Sequence, residues 1–328
     1  MTVKILQGDC REVLRTLPDE SVHCVVTSPP YFGLRDYGVA GQIGLEPSPS
    51  AFVEEMVSVF SEVRRILRAD GTLWLNLGDS YSSSPPGTKR PGASGSSTLN
   101  GIGSETYRAT LDAGTGTKRD TSKLTGFKPK DLLGIPWRVA FALQVDGWYL
   151  RQDIIWSKPN PMPESVRDRC TKAHEYIFLL SKSERYYYDA DAIAEPAIFA
   201  GDVKDYTGDQ KNNDTDPDLQ RTRIKNKKLT VGESRNKRTV WNVATSPYAD
   251  AHFATFPPAL IEPCILAGCP KGGTVLDPFG GAGTTGMVAD RLGRNAILIE
   301  LNPDYADMAH RRIKGDAGMF ADVVAIRE

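Results

Sequence analysis

The stretch Ser28-Pro29-Pro30-Tyr31 joins a hydroxyl, two prolines and an aromatic ring directly after an apolar run, residues 22–27. The run is rich in valine, which favours a buried strand, and two consecutive prolines end a strand because they cannot donate to its ladder. Ligands of open α/β sheets bind beyond the carboxyl ends of strands. There the hydroxyl and the freed carbonyls would accept hydrogen bonds from an exocyclic amine, and the tyrosine would stack on its ring. A plain strand terminator explains this stretch alone equally well.

A glycine-rich turn, residues 277–286 (DPFGGAGTTG), connects a predicted strand to a predicted helix and lets a ligand approach the helix N-terminus. Its glycines match the dinucleotide spacing G-x-G-x-x-G, which makes a nicotinamide cofactor the first alternative. Two observations argue against it: Asp277 would repel a pyrophosphate and attract an ammonium group, and residues 301–328 are too few for a second mononucleotide half. Glu300, after the next strand, suits two ribose hydroxyls. A cationic nucleoside that carries an amino acid, S-adenosylmethionine (AdoMet), fits this site better.

The composition is typical of a globular protein, with 328 residues of which 40% are hydrophobic and 25% charged. The formal net charge is −1, so any surface for nucleic acid must be local. Five cysteines and four histidines show no ligand spacing, and we expect neither a metal site nor disulfides. The first residues lack the apolar core of a signal peptide, and no apolar run reaches membrane-spanning length. We therefore expect a cytoplasmic protein without a membrane partner.

The two motifs lie among alternating strands and helices, an order that predicts a mainly parallel sheet covered on both faces. The predicted strands are 3–6, 22–27, 72–77, 148–156, 175–181, 274–276 and 296–299. The predicted helices are 11–17, 51–68, 132–145, 258–266, 284–292 and 303–313. The run Tyr186-Tyr187-Tyr188 is predicted to continue a hairpin. Two polar stretches, about 82–129 and about 201–238, interrupt the pattern, and the second is acidic first and basic afterwards.

Both motifs resemble those of the β-class DNA amino-methyltransferases, which methylate cytosine N4 or adenine N6. Ser28-Pro29-Pro30-Tyr31 resembles their catalytic motif (D/N/S)PP(Y/F/W), and residues 277–284 resemble their AdoMet motif DPFxGxGT. The catalytic motif precedes the cofactor motif, as in that class. The resemblance covers about residues 3–81, 130–192 and 240–313, and includes Gly8-Asp9, the loop 156–163, His174-Glu175-Tyr176 and the segment 252–257.

The resemblance implies an α/β, Rossmann-like, AdoMet-dependent methyltransferase fold with a circularly permuted motif order and polar insertions. It places the catalytic half in 1–81 and 130–192, target recognition in 193–240 and the AdoMet-binding half in 241–328. The Ser-, Gly-, Thr- and Lys-rich composition of 82–129, without an apolar period, predicts a flexible insertion there. The catalytic residues that it implies are Ser28, Pro29, Pro30 and Tyr31. The AdoMet-binding residues that it implies are Asp9, Asp277, Phe279, Gly280, Gly281, Gly283, Thr284, Glu300 and Asn302.

Double-stranded DNA is the partner that the resemblance implies, and lysines and arginines would contact its phosphates. The candidates are Lys158, Arg221, Arg223, Lys225, Lys227, Lys228, Arg235, Lys237 and Arg238. A solvated loop is the alternative explanation for the basic stretch. A restriction endonuclease partner stays open, as does the choice between a monomer and a homodimer.

The target base also stays open at this stage. Serine at position 28 favours cytosine N4, because aspartate at that place is typical of adenine N6 enzymes. The other readings are adenine N6 methylation, an NAD(P)-dependent oxidoreductase, a nucleic-acid-binding protein with a degenerate site, and methylation of RNA or of protein amides. Pro263-Cys264 matches the nucleophile pair of cytosine-C5 enzymes, but the pair lies in a predicted helix, where Cys264 is expected to pack.

Overall fold

The computed structural model describes residues 1–82, 124, 126–205, 228–230, 232–246, 255–318 and 322–327. The chain divides into two compact units, Met1–Tyr188 together with Thr239–Glu328, and Asp189–Arg238. Among these described residues, no helix is long and apolar enough to cross a membrane. Most of the predicted 82–129 insertion and the acidic-to-basic stretch 206–227 lie outside the described residues.

The larger unit contains one nine-stranded sheet and six described helices. Its strands are β1 (Thr2–Gln7), β2 (Val22–Thr27), β3 (Leu67–Leu77), β4 (Tyr149–Ser157), β5 (His174–Ser181), β10 (Val240–Asn242), β11 (Thr274–Asp277), β12 (Asn295–Glu300) and β13 (Asp322–Arg327). Its helices are α1 (Cys10–Thr16), α2 (Pro49–Ile66), α3 (Ile135–Val145), α4 (Pro258–Gly268), α5 (Thr284–Arg291) and α6 (Pro303–Ala317). The smaller unit pairs β6 (Glu195–Pro196) with β9 (Ser234–Arg235), and β7 (Val203–Asp205) with β8 (Lys228–Thr230).

The strands of the large sheet follow the order β10-β4-β5-β3-β2-β11-β12-β1-β13. Every neighbouring pair is parallel except those of β5, which runs antiparallel to both β3 and β4. The carboxyl ends of β2, β3, β4, β11 and β12 therefore meet at one edge of the sheet, and the beginning of β5 lies at the same edge. This edge is where ligands of such folds bind.

Side chains alternate between the two faces of the sheet, as the two-residue period of a strand requires. On β3, Leu73, Leu75 and Leu77 join the core cluster that also contains α1, α2 and α3. Trp74 points to the other face, where it lies beside Gly268 at the end of α4. The sheet is therefore covered by helices on both faces.

The structure confirms each predicted strand and helix of the larger unit, with ends shifted by a few residues and β3 beginning five residues early. The predicted hairpin at Tyr186-Tyr187-Tyr188 is wrong, because these residues lie outside any strand. Both sides of β5 are already occupied by β3 and β4, which leaves no free edge. Tyr188 instead stacks on Trp74 at 6.3 Å between ring centroids. Strands β10 and β13 were not predicted.

Helix α4 approaches the sheet so closely that its last residue must be glycine. A Cβ at Gly268 would lie 2.5 Å from Trp74 Nε1, 2.6 Å from Thr72 Oγ1 and 2.8 Å from Cys24 Sγ. We expect Gly268→Ala to lower the free energy of unfolding by about 1–3 kcal/mol because the helix must move away. Urea unfolding measures this change.

Gly315 in α6 supplies the matched control, since a Cβ there would meet nothing within 4 Å. Gly315→Ala should raise the free energy of unfolding by up to about 1 kcal/mol through helix propensity alone. Equal effects of the two alanine substitutions would contradict the close packing of α4.

Candidate active site

The two motifs predicted from the sequence meet at a buried carboxylate. Thr27, the last residue of β2, donates its hydroxyl to Asp277 Oδ1 at 2.6 Å, and the Phe279 amide donates to the same oxygen at 3.1 Å. Thr285 in α5 donates its hydroxyl to Oδ2 at 2.6 Å. Asp277 is 1% exposed, and burial raises the pKa of its carboxyl to about 7, although these three donors lower it. The carboxylate thus joins β2, β11 and α5 at one point.

The predicted catalytic motif, Ser28-Pro29-Pro30-Tyr31, leaves the sheet directly after this point. Ser28 is half-buried, and Tyr31 turns back so that its ring lies over Gly78, just beyond β3. A Cβ at position 78 would come within 2.4 Å of the tyrosine ring. The absence of a side chain at Gly78 is what lets the ring approach the end of β3 so closely. Burial and the neighbouring Glu175 carboxylate raise the pKa of the Tyr31 hydroxyl well above its usual value.

Glu175, near the start of β5, belongs to the same site, although no site role was predicted for it. Tyr31 donates its hydroxyl to Glu175 Oε2 at 2.6 Å, and Asn76 Oδ1 lies 3.2 Å from the same hydroxyl. The other carboxylate oxygen of Glu175 pairs with the Lys158 ammonium. The signal available in the sequence was a charged residue two positions before the apolar run 177–180.

Lys158 lies inside this cluster. Its ammonium is 4.2 Å from the centroid of the Trp156 ring, and its side chain is only 18% exposed. The predicted contact between Lys158 and a DNA phosphate stays a prediction, and the ammonium would make it with a donor that Glu175 does not use.

The glycine-rich turn forms a cradle above the ends of β11 and β12. The Gly280 amide donates to the Ile299 carbonyl at 2.7 Å, and the Gly281 amide donates to Glu300 Oε2 at 2.7 Å. Gly283 has a φ of 76°, and a Cβ there would lie 2.9 Å from that of Ala309. Gly283 is the N-cap residue of α5 and makes no side-chain cap, while Arg312 binds the Ala282 carbonyl at 3.0 Å beside it. Such a turn suits a ligand that approaches the backbone closely.

The carboxylate of Glu300 lies at the rim of this cradle. It also accepts from the Asn302 amide at 2.8 Å, and Asn302 in turn caps α6 through Asp304. Burial raises the pKa of the Glu300 carboxyl, and backbone amides oppose that rise. Gly8 donates its amide to the Glu300 carbonyl at 2.9 Å, which brings the end of β1 and Asp9 to the same rim.

Two of the predicted cofactor residues also have partners within the fold. Asp9 caps α1 and binds the Arg11 guanidinium, which reaches on to the Gly41 carbonyl at 2.8 Å. Thr284 is buried, and its hydroxyl accepts from Arg312 at 2.9 Å. Phe279 is half-buried and packs against the main core. All of the predicted cofactor residues nevertheless lie at the carboxyl edge of the sheet or in the turns that follow it.

The predicted DNA contacts are described only in part. In the smaller unit, three cations surround the carboxylate of Glu195, with distances of 3.5 Å from Arg235, 3.7 Å from Lys237 and 3.2 Å from Arg238. Three cations thus gather around this one carboxylate. Arg221, Arg223, Lys225 and Lys227 lie outside the described residues, and for Lys228 only its place in β8 is described.

Cys264 is buried within α4, which confirms the predicted packing role over that of an exposed nucleophile. Within the described part of the chain, no group of three or more His, Cys, Asp or Glu side chains could hold a metal ion. The segment His252-Phe253-Ala254 lies outside that part.

The permuted, mainly parallel sheet and the joined motifs define an AdoMet-dependent methyltransferase. The sequence model of the N6/N4 methyltransferase family, described as DNA methylase, matches residues 22–311. The chain belongs to this family. It is a DNA methyltransferase that takes its methyl group from AdoMet, and the glycine cradle with Glu300 at its rim fits a nucleoside of that kind.

Two type II methyltransferases are similar to this protein over nearly the whole chain. The type II methyltransferase M.Cfr9I of Citrobacter freundii is 47% identical over 95% of this chain and 88% of its own length. M.SmaI of Serratia marcescens, also a type II methyltransferase, is 48% identical over 94% of this chain and 90% of its own length.

Two solved structures share the fold at lower identity. A putative DNA modification methylase of Thermus thermophilus, complexed with AdoMet, has a TM-score of 0.59 at 23% identity and covers 99% of this chain and 100% of its own. The PvuII cytosine-N4-specific DNA methyltransferase has a TM-score of 0.60 at 18% identity, with coverages of 97% and 92%.

The buried carboxyl of Asp277 makes the stability of the fold depend on pH. Its pKa is about 7 in the folded chain against an ordinary 3.8, so between these values the folded state holds a proton that the unfolded state has lost. As pH rises from 4 to 7, we expect the free energy of unfolding of the wild type to fall relative to Asp277→Asn, by roughly 4 kcal/mol at most. Above pH 8 the difference should stay constant. Urea unfolding from pH 4 to 9 measures it, and a difference independent of pH would mean that Asp277 ionises like an exposed carboxyl.

Proposed function

We propose that this enzyme transfers a methyl group from AdoMet to the exocyclic N4 of a cytosine that is flipped out of double-stranded DNA. The observation that carries the proposal is the hydrogen bond between Thr27 and Asp277. It joins the strand that leads into Ser28-Pro29-Pro30-Tyr31 to the strand that leads into the glycine cradle. A base held by the first motif and a methyl donor held by the second would therefore be neighbours.

The catalytic motif holds the base by its amine and by its ring. The amine donates to Ser28 Oγ and to the Pro29 carbonyl, and the Tyr31 ring stacks on the face of the base. These two acceptors localise electron density on a nitrogen that is otherwise conjugated with the ring. Methyl transfer breaks the sulfur–methyl bond and forms the nitrogen–methyl bond; sulfur keeps the electron pair, and the amine releases one proton to water. Positioning and electrostatics supply the catalysis, without a covalent enzyme intermediate.

The second motif orients the methyl donor. Both carboxylate oxygens of Glu300 accept backbone amides, and the lone pairs that these amides leave would accept from the ribose hydroxyls. Asp9 lies at the same rim and would meet the adenine edge. Asp277 lies beneath the turn, where its charge would attract the ammonium group, and that cation in turn favours the ionised carboxyl. Glycines 280, 281 and 283 let the nucleoside approach the backbone.

Sequence recognition belongs to the smaller unit in this proposal. The positive cluster of Arg235, Lys237 and Arg238 would contact phosphates, together with the basic residues of the neighbouring stretch. M.Cfr9I and M.SmaI are type II methyltransferases, which supports a role beside a restriction endonuclease for this chain as well.

The decisive test is incubation with AdoMet and duplex DNA of mixed sequence, followed by mass spectrometry of the nucleosides. We expect N4-methylcytosine. Ser28→Ala should lower the rate about 100-fold or more, because one of the two amine acceptors is lost. Ser58→Ala, at an exposed place in α2, is the matched control and should keep the wild-type rate.

Other products would change the proposal in different ways. N6-methyladenine would keep the family and the mechanism but overturn the choice of cytosine. Full activity of Ser28→Ala would remove Ser28 from the catalytic residues. AdoMet binding without any methylated nucleoside would direct the search to RNA or protein amides.

A further inference from the structure

We propose that Glu175 is a positioning residue that fixes the direction of the hydrogen bonds through the catalytic motif, so that Ser28 offers lone pairs to the target amine. The inference rests on the proposed function, because it concerns how the amine is received. It follows from four side chains in contact at the carboxyl edge of the sheet: Ser28, Tyr31, Asn76 and Glu175.

The Tyr31 hydroxyl has a single proton, and its neighbours decide where that proton points. Glu175 Oε2 lies 2.6 Å from this hydroxyl and can only accept, since the ionised carboxylate has no proton to give. Asn76 also presents its oxygen, at 3.2 Å, because its amide nitrogen is used in bonds to Glu175 Oε2 and the Tyr176 carbonyl. Both neighbours can therefore only accept from Tyr31. The bond to the ionised Glu175 is stronger than the bond to Asn76.

The Tyr31 hydroxyl in turn sets the direction of its hydrogen bond with Ser28. Ser28 Oγ lies 3.4 Å from Tyr31 Oη. Because the tyrosine proton points at Glu175, the tyrosine oxygen can only accept from Ser28. The serine proton is then directed away from the base site, and the serine lone pairs are left facing it. An exocyclic amine is a donor, so this is the direction that it needs.

The structure holds Glu175 in place from the opposite side. Lys158 pairs with its second oxygen, and the Glu175 side chain is only 15% exposed. The antiparallel pairing of β5 with β4 sets Glu175 opposite Trp156, two residues before this lysine. The carboxylate therefore cannot turn away from Tyr31 without leaving the ammonium unpaired.

Glu175→Gln tests the direction of these hydrogen bonds, because glutamine keeps the shape of the glutamate side chain. The new amide can donate to Tyr31, which lets Tyr31 donate to Ser28 and turns the serine proton towards the amine. We expect kcat to fall about 10- to 100-fold. The KM values for AdoMet and DNA should stay within about threefold, because neither binding surface changes. Tyr31→Phe keeps the stacking ring and removes the hydroxyl, and it should give a similar loss of kcat.

The double variant separates this role from structural support. If Glu175 acts through the Tyr31 hydroxyl, Glu175→Gln should cause no further loss in the Tyr31→Phe background. Glu62→Gln, which changes a carboxylate that pairs with Arg65 on α2, is the control and should keep the wild-type rate. Urea unfolding of each variant verifies that the fold is intact.

Each result has a definite meaning. Independent losses that multiply in the double variant would overturn the proposal, as would a wild-type kcat for Glu175→Gln. A loss confined to KM would overturn it too, since it would assign Glu175 to binding. The wild-type rate tests the proposed function by itself, whereas the ratios among variants test Glu175.

Discussion

Two threonine hydroxyls bound to the buried carboxylate of Asp277 determine the geometry of the whole site. Thr27 ends the strand before the catalytic motif, and Thr285 lies in the helix after the glycine cradle. A buried carboxylate is costly unless donors satisfy it, so the two hydroxyls and the carboxylate depend on one another. The distance between the two motifs is thereby set by short hydrogen bonds in the core of the sheet rather than by loops. Such an arrangement suits an enzyme whose catalysis depends on placing two reactants in line.

The reversed direction of one strand completes the site. Because β5 is antiparallel to its neighbours, its first residues reach the edge where β3 and β4 end. Glu175 from the start of β5 and Lys158 from just beyond β4 meet there behind Tyr31. A wholly parallel sheet would place the beginning of β5 at the opposite edge. The change of direction therefore brings the Glu175 carboxylate to the tyrosine, beside the lysine that follows β4.

Much of the fold could be predicted because its elements carry their own periodicity. Valine-rich strands, amphipathic helices and the turns at Ser28-Pro29-Pro30-Tyr31 and 277–286 are visible in the sequence, and the structure brings those two turns to one edge. The direction of β5 could not be predicted, because an apolar run does not show which way a strand runs, and without that direction Glu175 could not be placed beside Tyr31. The hairpin prediction at Tyr186-Tyr187-Tyr188 was wrong because pairing with neighbouring strands, rather than strand propensity, decides whether a segment joins a sheet.

The order of strands also has a consequence for synthesis. The first strand of the chain, β1, lies between β12 and β13, and β2 pairs on one side with β11. At about 5–20 residues per second, β1 leaves the ribosome roughly 15 to 60 s before the strands that flank it. During that interval the strands already made lack their neighbours, and unpaired strand edges favour aggregation. The glycine cradle, residues 277–286, is made near the end of synthesis, so a chain whose translation stops before it lacks Asp277 and the hydrogen bond that joins the two motifs.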